Sequence, residues 1–300
     1  NTQTKIAYFV CPTHIYSEEN TIYCEDGWYD TEKDIYQFEK NVIIHTKDQV
    51  INAEFIWYDK VNETGLAQNS ISIYDSVENA LVLGEYAEYY GKDGFTFITD
   101  SAIAVLIDGN DSLFLHADTL WANFDTAQNL QEVLAYHRVR FYRDDLQGSC
   151  DSLVYWANDS IITMFRSPLV WFEKNQCLAD TIRLFIKNRE INEMHLIRNS
   201  FICEDVFMQK KFNQINGVNM FVYFVNNEID YVFVDADAEC LYYVLDEQKA
   251  LIGINQSVSE KMRIAFLENE VSVITLYNKV KGDLSPEKDM RFIHLGCSLN

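Results

Sequence analysis

Apolar and polar residues alternate in short runs along most of the chain, as in Arg138-Val139-Arg140-Phe141 and Arg263-Ile264-Ala265-Phe266. A period of two sends successive side chains to opposite faces of a strand, so the pattern predicts half-buried β-strands. Val, Ile, Thr, Tyr and Phe fill these runs, and polar pairs such as Asp75-Ser76 and Asp144-Asp145 mark turns after them. Asn129 to Tyr136 has helical potential, but it falls where the spacing of its neighbours expects a strand, and it is read as one.

The runs belong to a repeat. A small residue, an acidic one, any residue and usually an apolar one recur as Ala53-Glu54-Phe55-Ile56, Gly84-Glu85-Tyr86-Ala87, Ala117-Asp118-Thr119-Leu120, Cys150-Asp151-Ser152-Leu153 and Ala179-Asp180-Thr181-Ile182. Looser copies begin at Cys24, Gly217 and Ser259. Second positions fall at 25, 54, 85, 118, 151, 180, 218 and 260, with steps of 29 to 33 that lengthen to 38 and 42. Between tetrads lies a second recurring segment, centred on Val42, Ile71, Ala102, Val139, Leu169 and Phe201. Each repeat thus reads as two strands and two turns.

A unit of roughly 30 residues cannot bury its own apolar face, so neighbouring units must stack on a shared core. The expectation is a single all-β domain over residues 1–300, a fragment of a longer array, elongated, with about eight antiparallel rungs spaced ~4.8 Å apart. A β-propeller needs a period of ~40 to 50 residues, longer than most steps here. The small first residue of each tetrad meets a packing demand near the fold of a V-shaped rung. The acidic column from Glu25 to Glu260 is expected to point into water and hydrogen-bond the local backbone, in preference to holding a cation.

Composition agrees with a packed chain: 48% hydrophobic, 14% aromatic, with 3 Pro and 11 Gly, and no apolar run long enough for a membrane helix. A formal net charge of −22 repels phosphates, which argues against a nucleic-acid partner. No secretory leader is legible after Asn1. The seven Cys (11, 24, 150, 177, 203, 240 and 297) lack C-x-x-C spacing and read as buried thiols in strands. The six His show neither H-x-H nor H-E-x-x-H, and no nucleophile elbow or phosphate loop occurs, so the expectation is a non-enzyme without metal or cofactor.

The tetrads, with phrases such as Leu115-His116-Ala117-Asp118-Thr119-Leu120 and Gln176-Cys177-Leu178-Ala179-Asp180-Thr181-Ile182, resemble the OstA/LptA family. That family comprises LptA-like periplasmic lipopolysaccharide-transport proteins and the amino-terminal domain of LptD, and the likeness is strongest to the long OstA-like proteins of Bacteroidetes. It covers about Lys5 to Met290, with departures at Gly27 and Val218. The resemblance implies a β-jellyroll, or β-taco, open at both ends, whose apolar groove holds acyl chains in the periplasm of a Gram-negative envelope. Its implied partners are lipopolysaccharide or another multi-acyl lipid, other jellyroll proteins of the transport bridge, and further copies joined head to tail.

On that reading two ladders are candidates for the groove wall: Ile56, Leu120, Leu153, Ile182, Met220 and Met262 from the tetrads, and Val42, Ile71, Val139, Leu169 and Phe201 from the second segments. The bland alternative is that both are closed core. A separate functional reading is an envelope or surface β-solenoid binding glycan or protein on its outer face, with Trp57, Trp121, Trp156 and Trp171 as platforms.

Overall fold

The computed structural model describes residues 5–285 apart from 19, 109–111, 173, 189, 207–210, 227, 247, 249 and 268–269. His294 and Cys297 lie outside the described residues. Every helix or strand among them is a strand, and none is a helix able to cross a membrane. All registered pairings are antiparallel. The expected all-β class holds, and Leu130–Arg143 is a strand despite its helical potential.

The chain divides into two compact units, residues 1–144 with 152–159 and residues 145–151 with 160–300. The strands of the first are β1 (Ile6–Phe9), β2 (Thr13–Tyr16), β3 (Thr21–Cys24), β4 (Asp26–Asp30), β5 (Ile35–His45), β6 (Gln49–Asp59), β7 (Thr64–Asp75), β8 (Ala80–Tyr90), β9 (Phe95–Leu106), β10 (Leu113–Phe124) and β11 (Leu130–Arg143). β12 (Leu146–Trp156) contributes to both units. The second holds β13 (Ile161–Phe165), β14 (Leu169–Phe172), β15 (Asn175–Leu178), β16 (Thr181–Lys187), β17 (Glu190–Asp205), β18 (Phe212–Val225), β19 (Glu228–Leu245), β20 (Leu251–Leu267), β21 (Glu270–Tyr277) and β22 (Lys281–Ser285).

In the first unit β5 to β11 pair in sequence order, each with the next. Short turns make this order. Asp59 accepts a bond from the Asn62 N–H at 3.0 Å and Asp125 one from the Ala127 N–H at 2.8 Å, closing the loops between strands. Glu63 and Gln128 then take positive φ, as does Gly94 in the loop between β8 and β9.

Each long strand bends in the middle, and the tetrads mark the bend. On alternate strands two consecutive residues adopt left-handed φ: Lys40-Asn41, Asn69-Ser70, Asp100-Ser101, His137-Arg138, Arg166-Ser167, Arg198-Asn199, Ala236-Asp237 and Asn278-Lys279. Facing such a pair across the ladder stands a tetrad acid. Residues 40 and 41 oppose 54, residues 69 and 70 oppose 85, and residues 100 and 101 oppose 118. Left-handed backbone costs on the order of 1–3 kcal/mol per non-glycine residue, so the site must repay it locally. It does so with the acid. Ser70 N–H donates to Glu85 Oε2 at 2.8 Å, and Asn41 N–H donates to Glu54 Oε2 at 3.4 Å. Asp118, Asp151 and Asp180 also pair with Arg138, Arg166 and Arg198 at 2.7, 3.2 and 3.5 Å. The acidic column is a set of clamps on the bends: Glu54 and Glu85 bond local backbone as expected, while Asp118, Asp151 and Asp180 hold arginine side chains.

The small first residue of each tetrad sits at the bend and is buried in all eight copies, Cys24, Ala53, Gly84, Ala117, Cys150, Ala179, Gly217 and Ser259. At two of them nothing larger than hydrogen fits. A Cβ on Gly84 would lie 2.5 Å from Ile98 Cγ1, and one on Gly217 would lie 2.2 Å from Val234 Cγ1.

Candidate inner-face binding site

The register carries the fourth tetrad residues into one ladder on the inner face. In the first unit it runs Phe38–Ile56–Ala67–Ala87–Ile98–Leu120–Ala135, one residue per strand. Fourth positions are therefore not adjacent. An antiparallel partner strand stands between each two, and spaces them by about 10 Å. The equivalent ladder of the second unit is Met164–Ile182–Leu196–Met220–Val234–Met262. Ile56, Leu120 and Leu153 are 5–7% exposed, and Ile182, Met220 and Met262 are fully buried.

Val42, Ile71 and Val139, each at most 1% exposed, form the matching line across the bend, with Ala102 beside them. Leu169 and Phe201 stand elsewhere. Their neighbours Pro168 and Ser200 directly follow the left-handed pairs 166–167 and 198–199 and occupy the position that Val42 and Ile71 hold in the first unit. Leu169 and Phe201 are one residue further on, so they emerge on the opposite, half-exposed face, both registered against Leu178.

Beyond the bend the two units differ. In the second, the next inner column, Leu184–Met194–Val222–Val232–Ile264, is 0–2% exposed, and the facing residues Val170, Cys177, Ile202, Ile215 and Cys240 are 0–8% exposed. This is closed core. Burial alone pushes the thiols of Cys177 and Cys240 up to about 12. A cavity of about 30 Å³ lies among Ile202, Gln214, Ile215 and Ile264, room for about one water molecule.

In the first unit the corresponding columns are half-exposed. One reads Tyr36–Tyr58–Gly65–Tyr89–Thr96–Ala122–Val133, and the other Ile22–Ile44–Ile51–Ile73–Val82–Ala104–Leu115–Phe141, in which only Ile44 and Phe141 are buried. Side-chain volume explains the contrast. Alanine stands at positions 67, 87 and 135 of the first unit's ladder, whereas the second unit's ladder holds Met164, Met220 and Met262. The column through Ile22, Ile51, Ile73, Val82, Ala104 and Leu115 is a half-exposed apolar surface along the inner wall, flanked by tyrosines.

On the opposite face, Trp121 stacks with Phe95 and Phe97 at centroid distances of 4.6 and 5.2 Å, beside Tyr86 and Tyr90, whose hydroxyls both donate to Glu88. This outer aromatic cluster was not legible as a unit, because its members come from three strands joined only by register. Among the described residues the thiols of Cys24, Cys150, Cys177 and Cys240 are free and buried as expected, whereas that of Cys11 is free and exposed.

No family model matches the chain, and no curated protein matches its sequence. A solved structure with a similar trace is LptH of Pseudomonas aeruginosa, described as the LptA homologous periplasmic component of the lipopolysaccharide transport device. It is 13% identical, with a TM-score of 0.34, over 39% of this chain and 82% of that one. The likeness spans part of the chain.

Proposed function

We propose that this chain is a lipid-binding scaffold that shields the acyl chains of lipopolysaccharide, or of another multi-acyl lipid, along its inner face during transfer to the outer membrane. The observation that carries the reading is the half-exposed column Ile22–Ile51–Ile73–Val82–Leu115, which leaves apolar surface unfilled where the second unit fills it. Burying it against acyl chains yields ~0.8 kcal/mol per CH₂, without help from a chain whose net charge is −22. The tetrads that resemble the OstA/LptA family support the same reading, and with it a periplasmic location. One repeat runs through both units, which supports a single scaffold of 300 residues. The terminal strands β1, β2, β21 and β22 are the joints for other jellyroll proteins or for further copies, through strand addition. Ile56, Leu120 and Leu153 then floor the groove instead of touching lipid directly, and Ile182, Met220 and Met262 belong to closed core.

Photo-crosslinking tests this. Probes at Ile51 and Ile73 are expected to capture lipopolysaccharide, while probes at Asn52 and Ser72, on the other face of the same strands, are not. Equal capture on both faces removes the groove. It would favour the outer-face reading, glycan or protein bound beside the Phe95–Trp121–Phe97 stack.

A further inference from the structure

Four tyrosines from four strands line up on the inner face of the first unit. Tyr29 pairs in register with Tyr36, Tyr36 with Tyr58, and Gly65 lies between Tyr58 and Tyr89. Their ring centroids are 6.2, 5.3 and 6.4 Å apart, a continuous line of contacts. The last contact depends on Gly65, since a Cβ there would come within 3.1 Å of Tyr58 Cδ2 and 3.6 Å of Tyr89 Cβ. Tyr36 also stacks on Phe38 of the buried ladder at 5.0 Å, which places the line directly above the floor of the groove.

Several other phenols of the first unit are committed: Tyr23 to Glu25, Tyr74 to Asn79, Tyr86 and Tyr90 to Glu88, and Tyr142 to Asp144. Within the line Tyr29 donates to Asp34, but Tyr36, Tyr58 and Tyr89 make no hydrogen bond with any described residue. A half-buried phenol without a partner is an unused donor, because tyrosine hydroxyls in such places normally find an acceptor. Burial holds all three protonated, Tyr36 most strongly, so each is available as a donor at any physiological pH. The carboxylates of Asp59 and Glu63 act on Tyr58 in the same sense, and their charge turns away phosphate.

We propose that Tyr36, Tyr58 and Tyr89 form a carbonyl-recognition strip, donating hydrogen bonds to the ester or amide carbonyls at the junction where acyl chains leave the groove. The proposal rests on the lipid-scaffold reading and adds the chemical class recognised: an acylated lipid with carbonyl linkages, as opposed to a bare hydrocarbon chain. A row of neutral donors at the border of an apolar surface suits neutral acceptors, and the adjacent carboxylates exclude anionic ones.

The test compares dimyristoylglycerol with di-O-tetradecylglycerol, which has the same chains and no carbonyls, each delivered from cyclodextrin and titrated against the full chain by native mass spectrometry. Wild type is expected to bind the ester five- to thirty-fold more tightly than the ether. In the triple variant Tyr36→Phe, Tyr58→Phe, Tyr89→Phe that preference disappears and ether binding is unchanged, while Tyr86→Phe with Tyr90→Phe on the outer face retains it. Matching thermal melts of the variants confirm that each is folded. If wild type binds both lipids equally, or the triple variant keeps the preference, the strip is refuted and the scaffold reading stands. If wild type binds neither, both fall.

Discussion

The Cα of Gly84 faces Ile98 so closely that a single added methyl group would stand 2.5 Å from Ile98 Cγ1 and 2.8 Å from its Cδ1. The two residues belong to neighbouring strands on opposite sides of the bend, so this contact is where the two walls of the rung meet. Gly84→Ala is expected to destabilise the fold by about 1–3 kcal/mol in urea unfolding through overpacking. Ile98→Ala removes the clashing atoms, so the double variant should cost clearly less than the two single changes summed. Additive costs would show that the walls do not meet here.

The acid clamps are predicted to come in two kinds. Asp118 and Arg138 form a pair at 2.7 Å whose side chains are 32% and 80% exposed, so Asp118→Asn should cost under about 1 kcal/mol, less at high salt. Glu85 instead accepts from the backbone N–H of Ser70 at 2.8 Å. Glu85→Ala should cost about 0.5–1.5 kcal/mol with little salt dependence. A Glu85→Ala effect that fades in 1 M salt as the Asp118→Asn effect does would contradict the distinction.

Acid lability follows from the turns. Hydrogen bonds from the Asn62 backbone and side chain hold the Asp59 carboxyl below its usual range, and those from the Asn129 side chain and backbone do the same for Asp125. Their contribution is present above the unfolded carboxylate value of about 3.9 and is lost as pH falls through the lower folded values. Melting temperature should change little between about pH 5 and 8 and fall below about pH 4. The difference between wild type and Asp125→Asn should shrink as pH falls through the lowered folded value, where the wild-type carboxylate is neutralised too.

An alkaline limb is expected as well, with the opposite sign. Burial pushes the thiols of Cys150 and Cys177 up to about 12, so they stay neutral in the folded chain after those of the unfolded chain, near 8.5, have ionised. Stability from this source is complete below about pH 8.5 and declines as pH rises toward the folded values. Cys177→Ala should show a shallower decline between about pH 9 and 11 than wild type, whatever its stability at neutral pH.

Filling the groove should abolish lipid loading without unfolding the chain. Ala104 lies half-exposed in the inner column between Val82 and Leu115. Ala104→Phe is predicted to reduce lipid recovered with the purified protein at least five-fold, while Ser72→Phe on the outer face leaves it unchanged. Both are read by mass spectrometry of extracted lipid.

Local sequence was sufficient for the architecture because its rules act over one or two residues. Alternation specified strands, the step of 29 to 33 specified stacking, and a small residue followed by an acid marked the bends, where left-handed pairs such as 40–41, 69–70 and 100–101 recur. The phase of the second line was legible for Val42, Ile71 and Val139 but not for Leu169 and Phe201. There, Pro168 and Ser200 follow the left-handed pairs, so the apolar residue falls one place later and on the other face. Whether the walls close was beyond any local rule, because it depends on volumes summed across strands far apart in sequence. Only the folded register sets Ala67, Ala87 and Ala135 in one ladder and Met164, Met220 and Met262 in another, leaving the inner columns half-exposed in the first unit and packed in the second. The same register joined Tyr36, Tyr58 and Tyr89, which are separated in the chain by 22 and 31 residues and reach one another through hydrogen-bonded strands.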